Sequence, residues 1–159
     1  MSAGDNKNIN QSQNVILSNS FKRFESQLLN SGNIKNLSDS INQTNSAFEK
    51  NYLHALLDKR KKEYGNSFNR LYSLLPELPK YYPFYDELVF AAKASDNISL
   101  IEKFIKESKT HEKYYYYLKA QLSYNVNKYS EAVEILKDKN DFEQLYLLSY
   151  AYRGLGDYE

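Results

Sequence analysis

A short turn motif recurs along this chain and constrains its fold more than any other feature. The segments K-E-Y, N-K-Y and G-D-Y each follow an apolar helical stretch and end on Tyr64, Tyr129 and Tyr158. With Ile34 and Ile98 added as further anchors, the successive spacings are 30, 34, 31 and 29 residues. A period of this length is typical of repeat proteins, in which each unit can bury its apolar face only against its neighbours.

The units are predicted to be helical. The sequence has no sustained period-two alternation and no Asn-Gly or Asp-Gly hairpin turn, so strands are not favoured. Proline occurs only at 76, 79 and 83, and Pro83 stands where a helix could begin, because a first-turn proline loses no hydrogen bond. Three early helices are predicted from apolar spacing: one with Val15, Ile16, Phe21, Phe24, Leu28 and Leu29 that breaks at Gly32-Asn33, a weaker one with Leu37 and Ile41, and one that begins near Ala47.

Each anchor brings a pattern of side-chain sizes with it. Small residues are needed nine positions before the anchor, where two helices cross closely, and a small or modest residue is needed three positions after it. Bulky residues are expected thirteen positions before the anchor and seven positions after it. The position nine before the anchor holds Ala55, Ala120, Ser149 and Val89, with Glu25 as a departure. The position three after it holds Ala132, Ser67, Leu37 and Ile101. The position thirteen before the anchor holds Phe21, Tyr85, Tyr116 and Leu145, with Asn51 as a departure. The position seven after it holds Ile41, Leu71, Ile105 and Leu136.

Over residues 18 to 159 this pattern resembles the tetratricopeptide repeat (TPR) family, with degenerate repeats. The resemblance implies an all-α fold, an α-solenoid of antiparallel helix-turn-helix repeats with about nine helices in four and a half hairpins. Residues 1–13 are polar and are predicted to be a disordered lead-in, and residues 14–159 to be the repeat domain. We expect the last repeat to be truncated and the parent protein to continue. Leu145, Leu148 and Tyr152 would then lack their partner hairpin, and the open end could self-associate.

Several classes of function find no support in the sequence. Cysteine is absent, the net charge is +1, and no apolar run approaches the roughly 20 residues of a membrane span. The two histidines, His54 and His111, have no partners at metal-ligand spacing, and the basic run 59–62 is best explained as the solvated end of a helix. We therefore predict no catalytic residues, no metal, no cofactor and no nucleic-acid partner.

The sequence favours a scaffold or adaptor that binds another protein. In the family the first helix of each repeat lines a concave groove, and this implies a tyrosine-rich groove here. We expect a peptide or protein segment with apolar side chains to lie across Tyr117, Tyr124 and Tyr150, with no charge preference and without the carboxylate clamp of chaperone-binding members. Glu49 and Glu143 would stand at the rim. The predicted groove residues are Tyr52, Leu56, Lys59, Arg60, Asp86, Phe90, Lys93, Tyr114, Tyr117, Gln121, Tyr124, Tyr146, Tyr150 and Arg153.

Other interpretations stay open from sequence alone. The repeats could be the sensor or targeting part of a larger enzyme or regulator, or belong to a bacterial cell-envelope assembly protein with residues 1–13 as a tether. The compartment is accordingly undetermined between cytoplasm and periplasm or cell envelope. Any single tyrosine could also be a core residue whose hydroxyl reaches water, because tyrosine is amphipathic.

Overall fold

The computed structural model describes residues 17–30 and 33–156, and this part of the chain contains nine α-helices and no β-strand. The all-helical prediction is confirmed for these residues. Val15, Ile16, Gly32 and the predicted lead-in 1–13 lie outside them. The helices are α1 Asn19–Leu29, α2 Leu37–Asn42, α3 Ala47–Arg60, α4 Tyr64–Leu74, α5 Tyr82–Ala94, α6 Ile98–Glu107, α7 Lys113–Asn125, α8 Tyr129–Leu136 and α9 Phe142–Leu155. A short 3₁₀ turn, Leu75–Glu77, follows α4.

Local chemistry accounts for several helix starts. The Ser18 hydroxyl accepts a hydrogen bond from the Phe21 amide at 3.1 Å, which caps α1. Ser46 caps α3 in the same way through the Glu49 amide at 3.3 Å. Pro83 lies in the first turn of α5, as predicted.

The same turn joins three successive helix pairs, α3 to α4, α5 to α6 and α7 to α8. In each turn one residue adopts a left-handed conformation: Lys62 (φ 63°), Asp96 (φ 59°) and Asn127 (φ 63°). The next residue donates its amide to a carbonyl five positions earlier, which is the Schellman arrangement that ends many helices. These bonds join Glu63 to Asp58 at 2.9 Å, Asn97 to Ala92 at 2.8 Å and Lys128 to Ser123 at 2.8 Å.

The anchors of the sequence repeat coincide with these turns. Tyr64, Ile98 and Tyr129 are the first residues of α4, α6 and α8, and each lies two positions after the left-handed residue. Ile34 departs from this rule, because α2 begins only at Leu37 after a left-handed Asn36 (φ 64°). The first hairpin therefore has a different turn, which asparagine tolerates better than most residues.

The predicted close-contact positions are mostly buried. Ala55, Ala120 and Val89 are buried nine residues before the anchors, and Leu37, Ser67, Ile101 and Ala132 are buried three residues after them. Ser149 and Leu145 are exposed instead, because α9 is buried through Leu147 and Ala151, which lie on another side of the helix. Tyr116, which the pattern places in the hairpin core, is only partly buried. Its neighbours Tyr115 and Tyr117 are buried instead.

The helices pack in a regular order that positions the surface described next. Most neighbouring helices in the chain pack together, as in α3 with α4, α7 with α8 and α8 with α9. The odd-numbered helices also pack in succession, α1 on α3, α3 on α5, α5 on α7 and α7 on α9. One side of each odd-numbered helix from α5 to α9 is therefore brought together.

Candidate binding surface

Two residues predicted to line the groove are core residues. Tyr52 is 1% exposed and Leu56 is 2% exposed. The Tyr52 ring packs against Phe21 and Tyr81 with centroid distances of 5.6 and 5.7 Å. The prediction that these two side chains face a partner is wrong, because Leu56 lies in the core and Tyr52 is covered by α1 and the segment before α5.

The predicted cations of α3 and α5 stabilise contacts between helices. Lys59 forms a 2.7 Å ion pair with Glu87 of α5, and its ammonium group lies 4.6 Å from the centroid of Phe90. Arg60 donates to the Leu28 carbonyl at 2.9 Å, which ties α3 to the end of α1. Lys93 is exposed and donates to the Asn125 carbonyl of α7 at 3.2 Å.

Glu49, predicted at the rim of the groove, is buried instead. Its carboxylate accepts from the Ser18 amide at 2.7 Å and the Ser18 hydroxyl at 2.8 Å. It therefore joins α3 to the start of α1 and does not line the depression described next.

Predicted groove residues do meet in one depression between α5, α7 and α9. Its volume is about 220 Å³. It is lined by Asp86, Tyr117, Gln121, Tyr124, Tyr146, Leu147 and Tyr150, and every one of these except Leu147 belongs to the predicted set. The sequence pattern missed Leu147 because it is a buried core residue of α9.

Polar groups form the floor of this depression. The Tyr117 hydroxyl donates to Oδ1 of Asp86 at 2.7 Å, and the Gln121 amide nitrogen donates to the same oxygen at 2.8 Å. Burial raises the pKa of Asp86 above its ordinary value, although the bond from Tyr117 acts in the opposite direction. Burial, together with the charge of Asp86, raises the pKa of Tyr117. Two hydrogen bonds from α7 therefore converge on one carboxylate oxygen of α5.

Tyrosine rings form the wall. The Tyr146 and Tyr150 rings are nearly perpendicular at 89°, with centroids 4.9 Å apart, and their hydroxyls share a 2.8 Å hydrogen bond. Tyr124 lies 6.3 Å from Tyr150. Phe142, which is 76% exposed, stacks on Tyr146 at 6.2 Å and extends the aromatic surface outward. The Arg153 guanidinium lies 5.6 Å from the Tyr150 centroid at the edge of this wall.

Tyr117 is almost fully buried beneath this surface. Its side chain is 5% exposed, and its ring lies 4.7 Å from that of Tyr82. The expectation that a partner would lie across the Tyr117 ring is corrected accordingly.

A second tyrosine cluster adjoins the floor at the start of α7. The Tyr114 ring lies 4.8 Å from that of Tyr82, and Lys113 lies 5.2 Å from the Tyr114 centroid. Tyr82 donates to Asp141 at 2.6 Å, and Lys113 pairs with the same carboxylate at 2.8 Å. Tyr82 was missed by the sequence analysis, since the register places it outside the groove positions. This cluster anchors the start of α9 to α5 and α7.

The histidines have ordinary polar partners. Nε2 of His54 lies 2.8 Å from the Asn42 side-chain oxygen, and Nδ1 of His111 lies 3.0 Å from the Tyr116 hydroxyl. Within residues 17–30 and 33–156, no group of three or more His, Asp or Glu side chains could hold a metal ion. No helix in that part of the chain combines the length and the apolar character needed to cross a membrane.

The fold and this surface together define an all-helical protein with an aromatic-lined depression between three of its helices. Comparisons of the chain with protein-family models, with curated proteins and with solved structures find no match.

Proposed function

We propose that this chain is a protein-binding helical-repeat domain, an α-solenoid of TPR-like hairpins that binds a segment of another protein on the α5–α7–α9 surface. The observation that carries the proposal is the meeting of six predicted groove residues in one depression. The solenoid arrangement is supported by the shared turn of three hairpins and by the successive packing of the odd-numbered helices.

The exposed rings favour binding to a protein. Tyr146 is 56% exposed and Phe142 is 76% exposed, although both are large aromatic side chains. Contiguous exposed aromatic surface is typical of interaction sites. Tyrosine is also enriched among the residues that dominate binding energy, because it buries a large area with little loss of conformational freedom.

The partner is expected to be an extended or helical segment with apolar side chains. It would lie on Tyr124, Tyr146 and Tyr150, whose rings form the accessible wall. Tyr117 would not contact the partner with its ring. Its role would be to hold Asp86 in place through the hydrogen bond from its hydroxyl.

The test is selection of short peptides on the purified chain by phage display, followed by fluorescence anisotropy on the peptides recovered. Tyr146→Ala and Tyr150→Ala should each weaken binding about tenfold or more, equivalent to about 1.4 kcal/mol. Tyr152→Ala is the matched control, since it removes an exposed tyrosine from the same helix outside the depression. Recovered peptides whose affinity is unchanged by both Tyr146→Ala and Tyr150→Ala, or recovery of no binding peptide, would refute the proposal.

A further inference from the structure

The depression between α5, α7 and α9 presents hydrogen-bond acceptors that lack donors. Oδ1 of Asp86 accepts both bonds from Tyr117 and Gln121, and its other oxygen, Oδ2, has no hydrogen-bond partner among the described residues. Oε1 of Gln121 is buried, and it also has no partner in the part of the chain that the structure describes. The carboxylate fixes this orientation of the amide, because it can only accept and therefore attracts the amide nitrogen.

The negative charge of Asp86 is not neutralised by an ion pair within the described residues. Lys59, on the neighbouring helix α3, pairs with Glu87, and Lys113 of α7 pairs with Asp141. Lys93 of α5 donates to a backbone carbonyl, and Arg153 of α9 lies over the Tyr150 ring. Asp86 is half-buried, and a carboxylate that has lost part of its hydration is stabilised by a paired charge, so this site has capacity for one more cation.

The rings above the carboxylate can also bind a cation. Tyr124, Tyr146 and Tyr150 are mutually inclined, with 59° between the first and last and 89° between the last two. Cations are attracted to the faces of aromatic rings within about 6 Å of the centroid. The surface already shows this chemistry, since Arg153 lies 5.6 Å from the Tyr150 centroid.

The size of the depression selects a single side chain. Its volume of about 220 Å³ lies below the roughly 300–1,000 Å³ of sites that enclose a small molecule. A purely apolar side chain would fit the rings, but it would cover Asp86 and Gln121 without supplying a donor. A long basic side chain satisfies both parts, because its stem packs on rings while its head donates hydrogen bonds.

We propose that this depression binds an arginine or lysine side chain of the partner segment, with its cationic head on Asp86 and Gln121 and its stem between Tyr124, Tyr146 and Tyr150. The inference rests on the proposed function, since the basic side chain belongs to the bound segment. It adds one specific anchor to a surface otherwise expected to favour apolar groups.

The test uses three small probes on the full chain: N-acetylarginine methylamide, N-acetyllysine methylamide and N-acetylnorleucine methylamide as the apolar analogue. Binding is followed by NMR through the ring signals of Tyr124, Tyr146 and Tyr150. The arginine or lysine probe should bind at least about tenfold more tightly than the norleucine probe. Asp86→Asn should abolish this difference while preserving the shape of the side chain, and Glu87→Gln, which removes an equal charge on the next residue of α5, should leave it in place.

A second variant separates the role of the rings from that of the carboxylate. Tyr146→Ala changes an exposed side chain and so should leave the fold intact, yet it should weaken the basic probes severalfold. Equal binding of the norleucine and basic probes, no binding of any probe, or unchanged discrimination in Asp86→Asn would overturn the inference.

The two proposals fail in different ways. Selected peptides that depend on Tyr146 and Tyr150 but show no preference for a basic residue would leave the proposed function standing and refute the basic anchor. Basic probes that bind through Asp86, combined with peptides that are insensitive to both tyrosines, would refute the proposed function and leave the cation site.

Discussion

The hydroxyl of Tyr117 on α7 donates a 2.7 Å hydrogen bond to Oδ1 of Asp86 on α5. Sequence periodicity placed both side chains on an open groove, but the structure makes them a partly buried pair beneath a layer of other tyrosines. The same hydrogen bond therefore holds α7 against α5 and positions the carboxylate of the depression.

Asp86→Asn should stabilise the protein at neutral pH. Burial raises the pKa of Asp86 above its ordinary value of 3.8, so the ionised form is disfavoured in the folded state relative to the unfolded state. The wild-type chain therefore loses stability as the pH rises from 3.8 through the raised folded-state pKa, and the asparagine variant avoids this loss. Urea unfolding should show a higher free energy of unfolding for Asp86→Asn at pH 7, and the gap should shrink on acidification.

Asp141 provides the control of opposite sign. Hydrogen bonds from Lys113 and Tyr82 lower the pKa of Asp141, so its ionised form favours the folded state. Asp141→Asn should lower the free energy of unfolding at pH 7, and the effect should fade as the pH falls through that lowered pKa. The same sign of effect at pH 7 for both variants would contradict the electrostatic description of these two carboxylates.

Tyr117→Ala should destabilise the fold by about 3–5 kcal/mol, the usual cost of truncating a buried aromatic ring. Tyr117 is 5% exposed and packs against Tyr82, and its loss would also remove a donor from Asp86. Tyr150→Ala should cost about 1 kcal/mol, because its ring is only partly buried. Chemical denaturation of both variants measures this difference, and similar losses would mean that Tyr150 also belongs to the core.

Gly154→Ala should destabilise the contact between α8 and α9. A Cβ at Gly154 would lie 2.6 Å from Cγ and Cδ1 of Tyr129, which are ring atoms close to the backbone and cannot move aside cheaply. The expected cost is about 1–3 kcal/mol, typical of overpacking. Gly65→Ala, at a helical glycine with open space around its Cβ, should instead stabilise the protein by about 0.5–1 kcal/mol. Thermal melts of the two variants that shift in the same direction would argue against this packing.

Lys62→Gly should stabilise the turn between α3 and α4. Lys62 has φ 63°, a left-handed conformation that costs an ordinary L-residue about 1–2 kcal/mol and glycine almost nothing. Part of that gain is offset by the greater freedom of glycine in the unfolded chain, so a net gain of about 0.5–1 kcal/mol is expected. Lys61→Gly, at φ −81°, should instead lower the free energy of unfolding. A destabilised Lys62→Gly would show that the lysine side chain, and not its backbone, matters in this turn.

Sequence reasoning located the hairpins well because their signals are local. Tyr64, Ile98 and Tyr129 begin helices where the repeat placed them, since small residues at helix crossings and a recurring turn are properties of a few adjacent residues. Ile34 failed as an anchor because α2 begins three residues later, at Leu37, directly after a left-handed Asn36.

The sequence by itself determined the all-helical class of the described residues, the turns before α4, α6 and α8, and a set of candidate groove residues, six of which share the depression. These features follow from helical periodicity and from side-chain size, which are properties of short segments of the chain. Only the tertiary structure decided which face of each helix is covered. Tyr52 is buried under α1 and the segment before α5, whereas Tyr146 and Phe142 of α9 are exposed. Periodicity gives the direction in which a side chain points from its own helix. Burial depends on whether another part of the chain packs against that side of the helix.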